Sequence, residues 1–172
     1  MKETLFENKY VRDKGTAKEI YRHQFFSSKI MLIANVIAAL YGIAIIFGLI
    51  FDFRDAKGYL FQLVLLFIYA GVLYYSYDAQ VKTQVARDSE ITGGADFVCS
   101  LSVTDEEIRI ENPVGAQSLS ISELKYAFLT KSYIALVSNA KFMYLFKKDS
   151  FSKGDADSFI AFLKDRELKF KK

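Results

Sequence analysis

The chain has few residues with which to do covalent chemistry. Cys99 and His23 are its only cysteine and histidine. A nucleophile–base pair would have to join Cys99, or one of the serines, to His23. Cys99 lies in "FVCSLSVT", where Phe97, Cys99, Leu101 and Val103 share one side of an alternating strand and Val98, Ser100, Ser102 and Thr104 the other. A thiol on the apolar side acts as a small buried hydrophobe. His23 precedes a long apolar run and reads as a solvated or headgroup-facing side chain rather than a pH switch. The acidic triplet Asp105, Glu106 and Glu107 suggests a cation site or proton transfer, but it sits at a hairpin tip, where solvated turn residues are the ordinary reading. One cysteine excludes an internal disulfide and a cysteine-rich metal site. No Gly-rich phosphate-binding loop is present. The expectation is a protein that is not an enzyme and carries no cofactor.

The elements around these residues are more informative. Ile30 to Phe51 contains no charged residue, and neither does Gly58 to Tyr77. A bilayer core of roughly 30 Å is crossed by about 20 apolar helical residues. The first run holds thirteen Ile, Leu, Val and Phe residues, worth about −4 to −8 kcal/mol for insertion; the second, worth about −3 to −6, is nearly as favourable. Neither has the charged face that a surface helix of a soluble protein needs. Aromatic residues at the edges, Phe25, Phe26, Tyr59, Tyr74, Tyr75 and Tyr77, suit the headgroup level. The expectation is a membrane α-helical hairpin turning at "DFRDAKG".

Lys14, Lys18, Arg22, Lys29, Lys82 and Arg87 flank the outer ends of the hairpin, against Arg54 and Lys57 in the turn. That bias predicts both termini in the cytoplasm of the cell membrane. Ala34, Ala38 and Gly42 recur every four residues on one face, a spacing that lets another helix approach closely. The second span, near Ala70 and Gly71, is the expected neighbour, with a dimer seam as the alternative. Asn35 and Gln62 are the polar residues inside the spans, too far apart to form a relay.

The layout expected is 1–29 for a cytoplasmic strand ("LFENKYV") and a helix N-capped at Thr16, 30–51 and 59–77 for the spans, 52–58 for the external loop, and 78–96 for a juxtamembrane helix that breaks at Gly93-Gly94. Residues 97–172 form an α+β domain. Strands at "FVCSLSVT", "IRI", Leu119–Ile121, "YAFLT", "YIALVS" and "FMYLFK" make an antiparallel β meander or partial barrel. A C-terminal capping helix opens at Asp155 and Asp157, with Phe159, Ile160 and Leu163 on its apolar face. From Asp78 onward the charges balance, so a nucleic-acid partner is not expected.

The segments "LSVTDEEIRIEN", "SISELKYAFLTKSYIALVSN" and "YLFKKDSFSKGDADSFIAFLK" give the chain a pattern that resembles the YcxB-like family of bacterial membrane proteins, with Ile121 standing where that family often has Trp. The resemblance covers nearly the whole chain. It implies two spans followed by a pleckstrin-homology-like domain. Headgroup binding by such a domain generally needs a basic pocket between its first strands. The first turn of 97–172 is acidic, and Lys147-Lys148 and the tail "KFKK" read mainly as solvated surface. Two functions are compatible with these features. One is a noncatalytic membrane module whose β-domain meets an unidentified cytoplasmic protein or a second copy; the other is a subunit of an oligomeric transporter or pore. Membrane lipids are the expected surroundings, and no small-molecule substrate is evident.

Overall fold

The computed structural model describes residues 3–26, 29–51 and 55–171. Along the chain run β1 (Phe6–Arg12), α1 (Lys14–Phe26), α2 (Lys29–Phe51), α3 (Ala56–Thr92), β2 (Phe97–Val103), β3 (Glu107–Asn112), β4 (Gly115–Ser120), β5 (Leu124–Leu129), β6 (Tyr133–Ser138), β7 (Met143–Lys147), β8 (Phe151–Lys153), α4 (Ala156–Asp165) and β9 (Phe170–Lys171). Two long apolar helices thus precede a mostly antiparallel β domain with a helix near its end. The chain divides into two units: one takes both ends, up to Glu19 and from Gln84, and the other runs from Ile20 to Thr83.

In the first unit, β1 alternates Phe6, Asn8 and Tyr10 inward with Glu7, Lys9 and Val11 outward. It pairs along its whole length with β2, from Phe6 opposite Val103 to Arg12 opposite Phe97. The β-domain therefore includes a strand from the other side of the two long helices. One sheet has the order β4-β3-β2-β1-β8 and the other β7-β6-β5-β9, where β9 runs parallel to β5. Phe97, Cys99, Leu101 and Val103 are buried on the inner side of β2, as the alternation predicts. Helix α4 brings Phe159 and Leu163 into the core. Phe159 meets Phe146 at 4.5 Å and Phe6 at 5.1 Å between ring centroids, spacings at which tilted rings attract.

Local chemistry sets several element ends. Asp13, not Thr16, caps α1: its Oδ1 accepts from the Thr16 amide (2.7 Å), and the Thr16 hydroxyl oxygen accepts in return from the Asp13 amide (3.3 Å). Thr16 reads as the cap only if the reciprocal partner three residues earlier is overlooked. Ile121 does not extend β4. Ser120 and Glu123 form a capping box that turns 121–123 into a single 3-10 turn, overriding the strand-like alternation of "LSISE". At the C-terminal end of α3 the chain breaks where expected, with Gly93 and Gly94 at φ 62° and 87° and the Gly94 amide donating to the Ser89 carbonyl (2.9 Å).

In the second unit, α2 and α3 are both long and apolar enough to cross a membrane. Helix α3 starts at Ala56, inside the stretch that reads as loop, and 52–54 lie outside the described residues. Asp55 directly precedes it, a residue type suited to an N-cap. A Cβ on Gly58 would come within 2.6 Å of its Oδ2, so glycine leaves room for that carboxylate. Gly42 is buried, and a Cβ there would sit 3.0 Å from Leu66 Cδ2. A Cβ on Gly48 would strike the Tyr59 ring at 2.4 Å. The Tyr69 hydroxyl donates to Asn35 Oδ1 at 3.4 Å, partnering the polar residue of the first run within the hairpin. Large apolar side chains point outward: Ile30 and Phe51 are each 78% exposed and Phe67 is 70% exposed.

Candidate interaction surface

The outer face of the five-stranded sheet carries its polar residues in registered rows. Glu7 stands opposite Ser102 and Ser102 opposite Arg109; Lys9 stands opposite Ser100 and Ser100 opposite Glu111. The two small serines form a floor between taller walls, leaving a trough of about 220 Å³ lined also by Ser152. Arg109 Nε donates to Glu111 Oε1 (2.9 Å), and the Ser152 hydroxyl donates to Glu7 Oε2 (3.4 Å). The four charged groups occupy the corners of a rectangle about 7 Å along the strands and about 10 Å across them, with signs alternating around it. Such a face offers hydrogen bonds and ion pairs to a partner, with hydroxyl donors and acceptors at its centre.

A second polar group fixes the last turns of α3 to the sheet. Arg12, at the end of β1, forms a bidentate pair with Asp88, with Nε to Oδ2 at 2.7 Å and Nη2 to Oδ1. Its guanidinium lies 3.8 Å from the centroid of the Phe97 ring. Gln84 Nε2 adds a bond to Asp88 Oδ1 (2.8 Å). Asp88 is buried and Arg12 half-buried, so the fork-to-fork geometry offsets their desolvation. A hollow of about 180 Å³ beside the pair is bordered by Lys14, Ser89 and Asp96.

Between the sheets, Asn8 is 1% exposed. Its Nδ2 donates to the Lys147 carbonyl (2.8 Å) and its Oδ1 accepts from the Lys147 amide (3.1 Å), so one carboxamide clips β1 to β7. The hydroxyls of Thr16 and Tyr133 meet at 2.7 Å, and the Ser132 amide donates to Glu19 Oε1 (2.6 Å). Burial pushes Glu19 up, but hydrogen bonds from Thr130 and Ser132 outweigh it and leave the carboxyl below its ordinary value.

The residues singled out by type fall into place around these groups. Cys99 is buried beside Tyr10, and burial raises both the thiol and the phenol. His23 lies in the other unit, half-buried in α1, where burial lowers it. Asp105 pairs with Arg166 (2.6 Å), and Glu107 is the first residue of β3. Because β1 belongs to the sheet, the acidic turn is the second connection of the domain; the first is the whole segment 13–96. Lys147 pairs with Asp149 (3.5 Å), and Lys148 Nζ donates to the Thr130 carbonyl (2.6 Å). Phe170 and Lys171 of the basic tail are strand β9, with Lys171 Nζ 3.8 Å from the Tyr126 ring centroid. Among the described residues no group of three His, Cys, Asp or Glu is placed to hold a metal ion.

Of the small residues in the long helices, Ala34 and Ala38 are half-buried and Gly42 is buried on one face of α2, whereas Ala70 and Gly71 are exposed on α3. A Cβ on Gly71 would meet nothing within 4 Å, and Leu66 rather than Gly71 lies against Gly42. Residue types alone did not single out Asn8, Arg12 and Asp88. A polar Asn on the apolar side of "FENKYVR" was the one available signal. No protein-family model and no curated protein matches the chain.

Proposed function

We propose that this is a two-span membrane protein with both ends of the chain in the cytoplasm. It carries a noncatalytic pleckstrin-homology-like module used for protein contact. The observation that carries this reading is the outward apolar surface of α2 and α3. Only 6% of the most apolar window of α2, and none of that of α3, is buried. A core helix of a soluble protein hides such side chains, and apolar patches of that extent mark lipid or partner contact. The pairing of β1 with β2 supports an even number of crossings, because the two strands meet only on one side of a membrane. The Lys and Arg bias at the outer ends favours the cytoplasmic side. A meander of four strands, a second of three and a helix behind them suit a pleckstrin-homology-like domain. The YcxB-like resemblance points the same way. The module reading draws on a surface of mixed charge and hydroxyls without an assembled nucleophile. A pore subunit gains less support, since Asn35 is engaged by Tyr69.

Cysteine labelling in intact cells tests the arrangement. Lys57 and Ala140 are exposed, and native Cys99 is buried. An impermeant maleimide should label Lys57→Cys in intact cells and Ala140→Cys only after permeabilisation. The reverse order would invert the topology, and labelling of both in intact cells would sink it.

A further inference from the structure

We propose that the outer face of the β4-β3-β2-β1-β8 sheet is a homodimer interface whose two-fold axis runs parallel to β2. The argument begins with the charge pattern. Glu7 and Lys9 form one wall of the serine trough, Arg109 and Glu111 the other, with like signs on the diagonals. A two-fold axis along the strands lays β1 of one copy over β3 of the next. Glu7 then faces Arg109 of the second copy, and Lys9 faces Glu111. Every corner meets its opposite, which is the condition for an isologous contact. Among the described residues no ion pair engages Lys9 within its own chain, which leaves its exposed ammonium available to Glu111 of the second copy, beside the Arg109 that Glu111 already meets at 2.8 Å.

Two further features select this axis. An axis across the strands would also match the charges, but it would turn the two copies end for end. The register of Arg12 with Phe97 puts both connections to 13–96 at the same end of the sheet. Two chains anchored in one membrane must present that end on the same side, and only the axis along β2 does so; this step rests on the membrane reading above. The same axis keeps each row against its own row. Val11 and Val98 are paired at the end of the face, with Val11 43% exposed, so an apolar row meets an apolar row there. Five strands at about 4.8 Å spacing and six or so residues in length give roughly 450 Å² per copy, or about 900 Å² in total, the size of a weak, transient contact. Confinement of both copies to one membrane raises their effective concentration, which a contact of this size needs.

Ser100 lies on the axis strand, pointing outward, while Cys99 beside it is buried. In membranes holding the full-length chain, Ser100→Cys should give a covalent dimer with a short bis-thiol crosslinker, and the unaltered chain should not. Adding Lys9→Glu or Glu111→Lys sets like charges face to face and should cut the dimer by about tenfold. Coexpression of the two variants should restore it, because Glu at 9 then faces Lys at 111. Absence of a crosslink in Ser100→Cys from chains that sediment with membranes overturns the interface alone, as does failure of the mixed pair to recover. Chains found in the supernatant overturn the membrane reading, and the crosslink is then read in solution.

Discussion

Asn8 fills a position that strand alternation would give to an apolar side chain, and it bonds both the amide and the carbonyl of Lys147. Leucine would fit the volume but leave the Lys147 amide without a partner, at a cost of about 1–3 kcal/mol, while the carbonyl keeps its bond from the Ser150 amide (3.2 Å). Asn8→Leu should therefore lower the unfolding free energy by about 1–3 kcal/mol, read from urea melts of the detergent-solubilised chain by circular dichroism. Asp13 makes a different prediction. The Thr16 amide donates to its carboxylate and holds it below 3.8. A carboxyl lowered by folding contributes stability above its unfolded value and loses it as pH falls through the folded one. Unfolding midpoints should drop between pH 5 and pH 2 more steeply for the native chain than for Asp13→Asn, which keeps the cap without the charge. Equal slopes would remove Asp13 from the account. Arg12 and Asp88 carry opposite charges in a half-buried place, so removing one strands the other. Arg12→Ala should cost about 3–5 kcal/mol, and Arg12→Met with Asp88→Leu much less, in the same melts.

At the scale of elements, the two glycines Gly48 and Gly71 separate packing from propensity. A methyl at Gly48 meets the Tyr59 ring, and overpacking of that kind costs about 1–3 kcal/mol. A methyl at Gly71 meets nothing, so Gly71→Ala should leave the thermal midpoint in detergent unchanged or slightly raised while Gly48→Ala lowers it. Element type was legible wherever periodicity was long. The runs that became α2 and α3, the alternation of β2 and the apolar face of α4 all follow from spacing within a dozen residues. What escaped was set by partners distant in sequence or by a competing local bond. Nothing in "FENKYVR" announces that it pairs with residues beyond two long helices, and "SISE" reads as strand until its capping box is noticed. The same gap hid the interaction surface, since Glu7 and Lys9 join Arg109 and Glu111 only once β1 is placed.

For the molecule as a whole, the adjacency of Arg12 and Phe97 means that 13–96 is topologically an insertion in a hairpin. Replacing 13–96 by Asn-Gly, a dipeptide suited to tight antiparallel turns, should yield a β-domain that stays in the supernatant. Arg12→Thr belongs in that chain because Asp88 is gone. Dispersed amide resonances and a cooperative melt are the expected result; a collapsed, aggregating product would show that α1 and the end of α3 are indispensable to the fold.

The late arrival of β2 also bears on biogenesis. During synthesis β1 emerges first and must wait, with Phe6 and Tyr10 uncovered, until the ribosome has passed residue 96, an interval of several seconds at about 5–20 residues per second. On the membrane reading, a nascent chain whose second helix fails to insert leaves β2 on the far side of the bilayer, where β1 cannot reach it. On that reading, closure of the sheet depends on both helices having inserted, and a misinserted copy keeps β1 without its mate.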